Sequence, residues 1–169
     1  MRVLNWAILL LLTALLAWTA LPRYVSAGLR PDLILILVIF TALSGPPEDA
    51  LVLSWFAGLI KDVLTIGPLG EYSLLYLLLA AGLLRLKTMF DTRAAVSRLL
   101  IGAAACFVCE GLYGVTEGLR TGFWPDAVSR SIWISSAIVT GAATPLLCRP
   151  LDRIGGWLGM ERRRPGWVR

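Results

Sequence analysis

The chain has 169 residues, of which 57% are hydrophobic and 16% charged, and its net charge of +5 is carried by 14 Arg and 2 Lys against 11 acidic residues. A water-soluble core of this size does not need so much apolar surface, so the composition points to one domain with the bilayer as its solvent. The absence of histidine removes the commonest general base and metal ligand. The basic residues fall in short clusters between apolar blocks, which argues against a nucleic-acid partner and for topology signals.

The first apolar block, 3–21, holds 19 uncharged residues, about 28 Å of helix at ~1.5 Å per residue, enough to cross the hydrocarbon. Val25-Ser26-Ala27 resembles a signal-peptidase site, but a cleaved signal has an apolar region of only about 7 to 15 residues, so a retained helix is expected. Further blocks follow at 33–44, 50–66, 72–86, 99–118 and 132–147. The expectation is an all-α polytopic membrane protein with six transmembrane helices, one integral membrane domain over 1–169 and a basic tail at 149–169. The dozen residues of 33–44 lie in the range where a re-entrant or partly buried segment competes with a full span.

Six spans put eleven Lys and Arg on the side of the amino terminus and four on the other; without block 33–44 the split is twelve to three, with the amino terminus on the poorer side. The richer side is cytoplasmic. Both arrangements therefore place the loop around Arg85, Lys87, Arg93 and Arg98, and the tail from Arg149, in the cytoplasm. Only the direction of the first span is left open, and the six-span count makes the amino terminus cytoplasmic as well.

The turns carry local signals. In SGPPEDA, 44–50, Pro47 pre-sets φ for a helix start, and Glu48 and Asp49 face the positive end of the helix dipole. Phe123, Trp124 and Pro125 resemble an interfacial aromatic belt before a helix start at Asp126. The tail combines Trp157 and Trp167 with ERRRP, a composition suited to anionic membrane lipid at about 1 kcal/mol per basic residue. Cys106 and Cys109 form a CxxC within IGAAACFVCEGLYG, with no second CxxC or histidine to complete a zinc site. These two are expected to be small packing residues; with Cys148 they make an odd number that cannot all pair with one another. No metal, no cofactor and no enzymatic activity are expected, since the chain pairs no nucleophile with a base and carries no phosphate-binding loop.

The stretch WFAGLIKDVLTIGPLGEYSLL, 55–75, sets Lys61 and Asp62 side by side in an apolar run. Neighbours on a helix point about 100° apart, so the two need different partners. Lys61 is expected to snorkel to the outer headgroups along its aliphatic stem. Asp62 has two candidate partners: backbone N–H groups in the following turn, where Gly67 and Gly70 permit φ > 0 and Pro68 restricts the corner, or Arg23 or Arg30. A ligand contact or a direct contact with a partner protein are the alternatives to such a structural lock. Glu110, mid-block in CFVCEGLYG with Glu117 on roughly the same face, is either an intramembrane functional carboxylate or an interior contact beside Gly111 and Gly114.

Taken in order, RPDLILILVIF, the acidic turn, WFAGLIKDVLTIGPLGEYSLLYLLLA and the basic segment after it resemble the bacterial rod shape-determining protein MreD family. The resemblance is strongest from Arg30 to Lys87 and rests on Pro31 and Asp32, then Gly58 and Asp62, then Gly67, Pro68 and Gly70. It implies six helices in a fold similar to the substrate-binding subunits of energy-coupling-factor vitamin transporters. It also implies a non-catalytic scaffold in the bacterial inner membrane, acting with MreC in cell elongation and lateral peptidoglycan synthesis. The RodA glycosyltransferase, a class B penicillin-binding transpeptidase and MreB would be its direct or indirect partners. Asp32, Gly58, Asp62 and Gly70 are the matched positions to test, as structural or partner contacts. The competing function is a vitamin-binding transporter subunit. Such subunits carry AxxxA on the first helix, whereas Ala14, Ala17 and Ala20 stand here at three-residue steps.

Overall fold

A computed structural model describes residues 2–19, 30–65, 68–88, 94–124 and 126–154, and all regular structure in them is helical. Gly67, Arg23, Arg93, the Val25-Ser26-Ala27 site and the tail from 155 lie outside the described residues. In chain order the helices are α1 (Arg2–Thr19), α2 (Leu33–Ser44), α3 (Pro47–Leu64), α4 (Glu71–Leu86), α5 (Ala95–Thr121) and α6 (Ala127–Ile154).

Helix α2 is the axis of the bundle. Its sequence LILILVIFTALS is apolar on every face, and every residue from Ile34 to Leu43 is buried; core and lipid are the two environments open to a helix with no polar face. Each of the other five helices packs against it. Its length of 12 residues, about 18 Å at ~1.5 Å per residue, falls short of the roughly 30 Å hydrocarbon. The chain enters it through Arg30, Pro31 and Asp32 in non-helical conformation. The polar groups of this irregular backbone need partners, and the contacts of Asp32 described below supply them.

The flanking helices run past the apolar blocks where their ends become amphipathic. Helix α3 starts at Pro47, with Glu48 and Asp49 in its first turn, so block 50–66 is extended backwards by the proline-initiated turn. Helices α5 and α6 extend blocks 99–118 and 132–147 at both ends, and α6 continues through Pro145 and Pro150. Asp126 caps α6 by accepting the Ser129 backbone N–H at 2.9 Å. Segments 95–121 and 128–153 are each long and apolar enough to cross a membrane. Leu11, Leu12, Leu15 and Leu16 on α1, and Phe107, Leu112 and Leu119 on α5, are among the large apolar side chains left exposed. Lipid tolerates such a surface and water does not.

The closest backbone approaches are set by glycine. A Cβ on Gly141 would lie 2.9 Å from the Leu99 carbonyl and 2.8 Å from the Ala103 Cβ, while one on Gly102 would meet the Thr144 hydroxyl at 2.2 Å. Helices α5 and α6 therefore form a tight antiparallel hairpin through small residues. At one end Arg98 is paired with Asp152 at 2.7 Å. At the same end the Lys87 ammonium donates to the Gly45 carbonyl at 3.1 Å and the Ala42 carbonyl at 3.4 Å, placing a cation on the negative C-terminus of α2. The three cysteines are buried free thiols within the core.

Candidate functional site

Two polar constellations meet the apolar core, and adjacent residues of α3 anchor one each. The first begins with Asp32, the N-cap of α2. One carboxylate oxygen accepts the Leu35 backbone N–H at 3.0 Å, the capping bond that an Asp at this position makes. The other accepts the Tyr76 hydroxyl at 2.9 Å and is paired with the Lys61 ammonium. The Asp32 backbone N–H donates to the Thr140 hydroxyl of α6 at 3.0 Å, and the Ser136 hydroxyl donates to the Arg30 carbonyl at 3.3 Å. In this way the polar backbone ahead of α2 finds partners without water.

Lys61 is the hub. Besides Asp32, its ammonium lies 3.4 Å from a Glu110 carboxylate oxygen on α5. It also lies 4.2 Å from the centre of the Tyr72 ring and 5.4 Å from that of Tyr76, within cation–π range. The Lys61, Asp32 and Glu110 side chains are 14%, 12% and 22% exposed. The snorkelling expected of Lys61 is thus corrected. Two carboxylates and two ring faces inside the bundle hold the ammonium better than a headgroup region reached by a flexible stem. Measured along their helices at ~1.5 Å per residue, Asp32, Lys61 and Glu110 all stand roughly 20 Å from the end that carries Gly45, so they share one level.

The second constellation is built on Asp62, which is 3% exposed. Its carboxylate accepts the backbone N–H groups of Gly70, Tyr72 and Ser73 at 3.0, 2.9 and 3.2 Å and the Ser73 hydroxyl at 2.6 Å. Gly70 is the N-cap of α4, at φ 106°, and has no side chain with which to cap the helix. Asp62 supplies that missing acceptor from the end of the preceding helix, with its charge at the positive end of the α4 dipole. Three backbone N–H groups and one hydroxyl from the start of α4 therefore close on one carboxylate. Four residues before it, Gly58 lets the two helices touch: a Cβ there would lie 2.3 Å from the Ser73 Cα and 2.6 Å from the Tyr72 carbonyl. Pro68 is half-buried in the connecting turn.

Of the residues singled out from the sequence, Asp32 and Glu110 meet at Lys61, while Gly58, Asp62 and Gly70 meet at the α3–α4 turn. Glu117, grouped with Glu110 by helical phase, is exposed. Tyr72, Tyr76 and Thr140 escaped sequence reasoning. The available signal was that Tyr72 and Tyr76 stand four apart on one face of an otherwise leucine-rich helix, where a phenol needs a partner when buried. Chemically, the arrangement cross-links helices through charge. Removing one member of a buried pair leaves the other uncompensated, at about 3–5 kcal/mol.

A protein-family model described as "rod shape-determining protein MreD" matches residues 1–144. No curated protein and no solved structure matches the chain.

Proposed function

The chain belongs to the MreD family of rod shape-determining proteins, and from that membership we propose that it is a non-catalytic scaffold of the cell-elongation complex in the bacterial inner membrane. In this reading it supports lateral peptidoglycan synthesis by associating with MreC. RodA, a class B penicillin-binding transpeptidase and MreB act beside it, directly or through MreC. The observation that supports a scaffold is the fate of the convergent polar groups. Asp32, Lys61, Asp62 and Glu110 are engaged with other parts of the same bundle, where a vitamin-binding subunit would turn such groups toward a cavity.

We further propose six membrane passages in a fold akin to the energy-coupling-factor binding subunits, with both termini in the cytoplasm and the basic tail on anionic lipid. What supports the first passage is the packing of α1 on α2. Trp6, near the start of α1, has its ring 6.5 Å from that of Phe40, near the end of α2. Trp6 and Leu10 together line a crevice with Leu37, Val38 and Thr41 of α2. In this reading α1 runs antiparallel to α2, so that its start belongs with Gly45, Lys87 and Arg98 at the basic end, which the positive-inside rule assigns to the cytoplasm.

The test is affinity purification of the tagged protein from its native membranes in mild detergent, followed by mass spectrometry. Recovery of an MreC-like protein with wall synthases is the expected result. Recovery of an ATPase pair with a coupling membrane subunit would replace the scaffold by the transport reading.

A further inference from the structure

The surroundings of the Lys61 ammonium have the chemistry of a ligand site. Asp32 and Glu110 provide two carboxylates, and Tyr72 and Tyr76 present ring faces at 4.2 and 5.4 Å. These are the elements with which proteins bind alkylammonium ligands. Three of the four walls are positioned by contacts that do not involve Lys61. Asp32 is held by the Leu35 N–H and the Tyr76 hydroxyl. Tyr76, fully buried, is held by that same bond, and Tyr72 is stacked on Tyr113 with ring centres 4.7 Å apart. The cage is thus assembled largely apart from its occupant. Two carboxylates face one ammonium, so taking the ammonium away leaves two uncompensated negative charges that attract a cation.

We propose that Asp32, Glu110, Tyr72 and Tyr76 form a cation cage for a primary alkylammonium, occupied in the native protein by the tethered ammonium of Lys61. The class follows from the walls. A primary ammonium has three N–H donors to divide between carboxylates on different helices, and a narrow stem that fits between the rings. A quaternary ammonium offers no donor. The Glu110 side chain is 22% exposed, so this wall of the cage is not fully enclosed by the bundle. The proposal does not depend on which proteins the bundle associates with.

Lys61→Ala removes the three carbons and the nitrogen of n-propylammonium, which makes that ion the probe. The full chain carrying Lys61→Ala, purified in detergent, is expected to melt on the order of 10 °C below the parent. Added n-propylammonium chloride should restore the midpoint saturably. Equal concentrations of sodium chloride, tetramethylammonium chloride and n-propanol should not, and the restoration should vanish when Asp32→Asn is added. Equal recovery with n-propanol would overturn the proposal, because filling space would then suffice. A Lys61→Met protein that melts like the parent would overturn it too. Should Lys61→Ala fail to accumulate in membranes, the variant that adds Asp32→Asn and Glu110→Gln decides. Its accumulation would assign the defect to the uncompensated cage charge, and its failure would assign it to packing and refute the cage.

Discussion

Lys61 and Asp62 adjoin in the chain and serve different helices. The 100° between them on α3 sends the ammonium toward Asp32 and Glu110 and the carboxylate toward the N-terminus of α4. Asp62 accepts three backbone N–H groups and a hydroxyl, and Asn in its place would offer one oxygen and turn an N–H2 group toward donors. Asp62→Asn is therefore expected to lower stability by about 1–3 kcal/mol, read as a thermal melt in detergent. An unchanged melt accompanied by loss of MreC-like protein from the purification would instead make Asp62 a partner contact. The roles of these neighbours differ in how far the sequence shows them. Asp62 and its donors lie within 11 residues of one another, in a turn whose glycines and proline announce its shape. Lys61 finds Asp32 29 residues away and Glu110 49 away, and no local pattern connects them.

Between elements, small side chains set the spacing. Gly58 allows α3 to lie against the Tyr72–Ser73 backbone, which is also where Asp62 takes its hydrogen bonds. Gly58→Ala must separate the helices or displace that backbone, and the overpacking should cost about 1–3 kcal/mol. Gly82→Ala provides the comparison, since nothing lies within 4 Å of its Cβ position; it should match or exceed the parent in stability, by up to about 1 kcal/mol, because Ala favours the helix. Equal melts for the two variants would mean that α3 and α4 do not depend on this contact. The small-residue segments of α5 and α6 divide in the same way. Gly102 and Gly141 are buried between the two helices, while Ala104 and Ala142 are exposed. Helical phase implies such a division without saying which face turns inward.

For the whole molecule, the arrangement of helices bears on sidedness where charge alone does not. On the proposed six-passage arrangement, with α1 antiparallel to α2, a fluorescent protein fused ahead of Met1 should mature in the cytoplasm, and an alkaline phosphatase fused there should stay inactive. An active phosphatase would require block 33–44 not to cross. The type and approximate extent of the six described helices were legible in the sequence because apolar blocks punctuated by proline, glycine and charge are local properties. The resemblance carried by Pro31, Asp32, Gly58, Asp62 and the GPLG turn likewise identified the family that the match over residues 1–144 assigns. The central place of α2 was only half legible. Its uniform apolarity called for burial, but lipid and protein satisfy that demand alike, and only packing against the five other helices decided between them. Tertiary structure alone decided the meeting of Asp32, Lys61 and Glu110. Charges taken from water must find partners in space, and the partners of Lys61 stand 29 and 49 residues away in the chain.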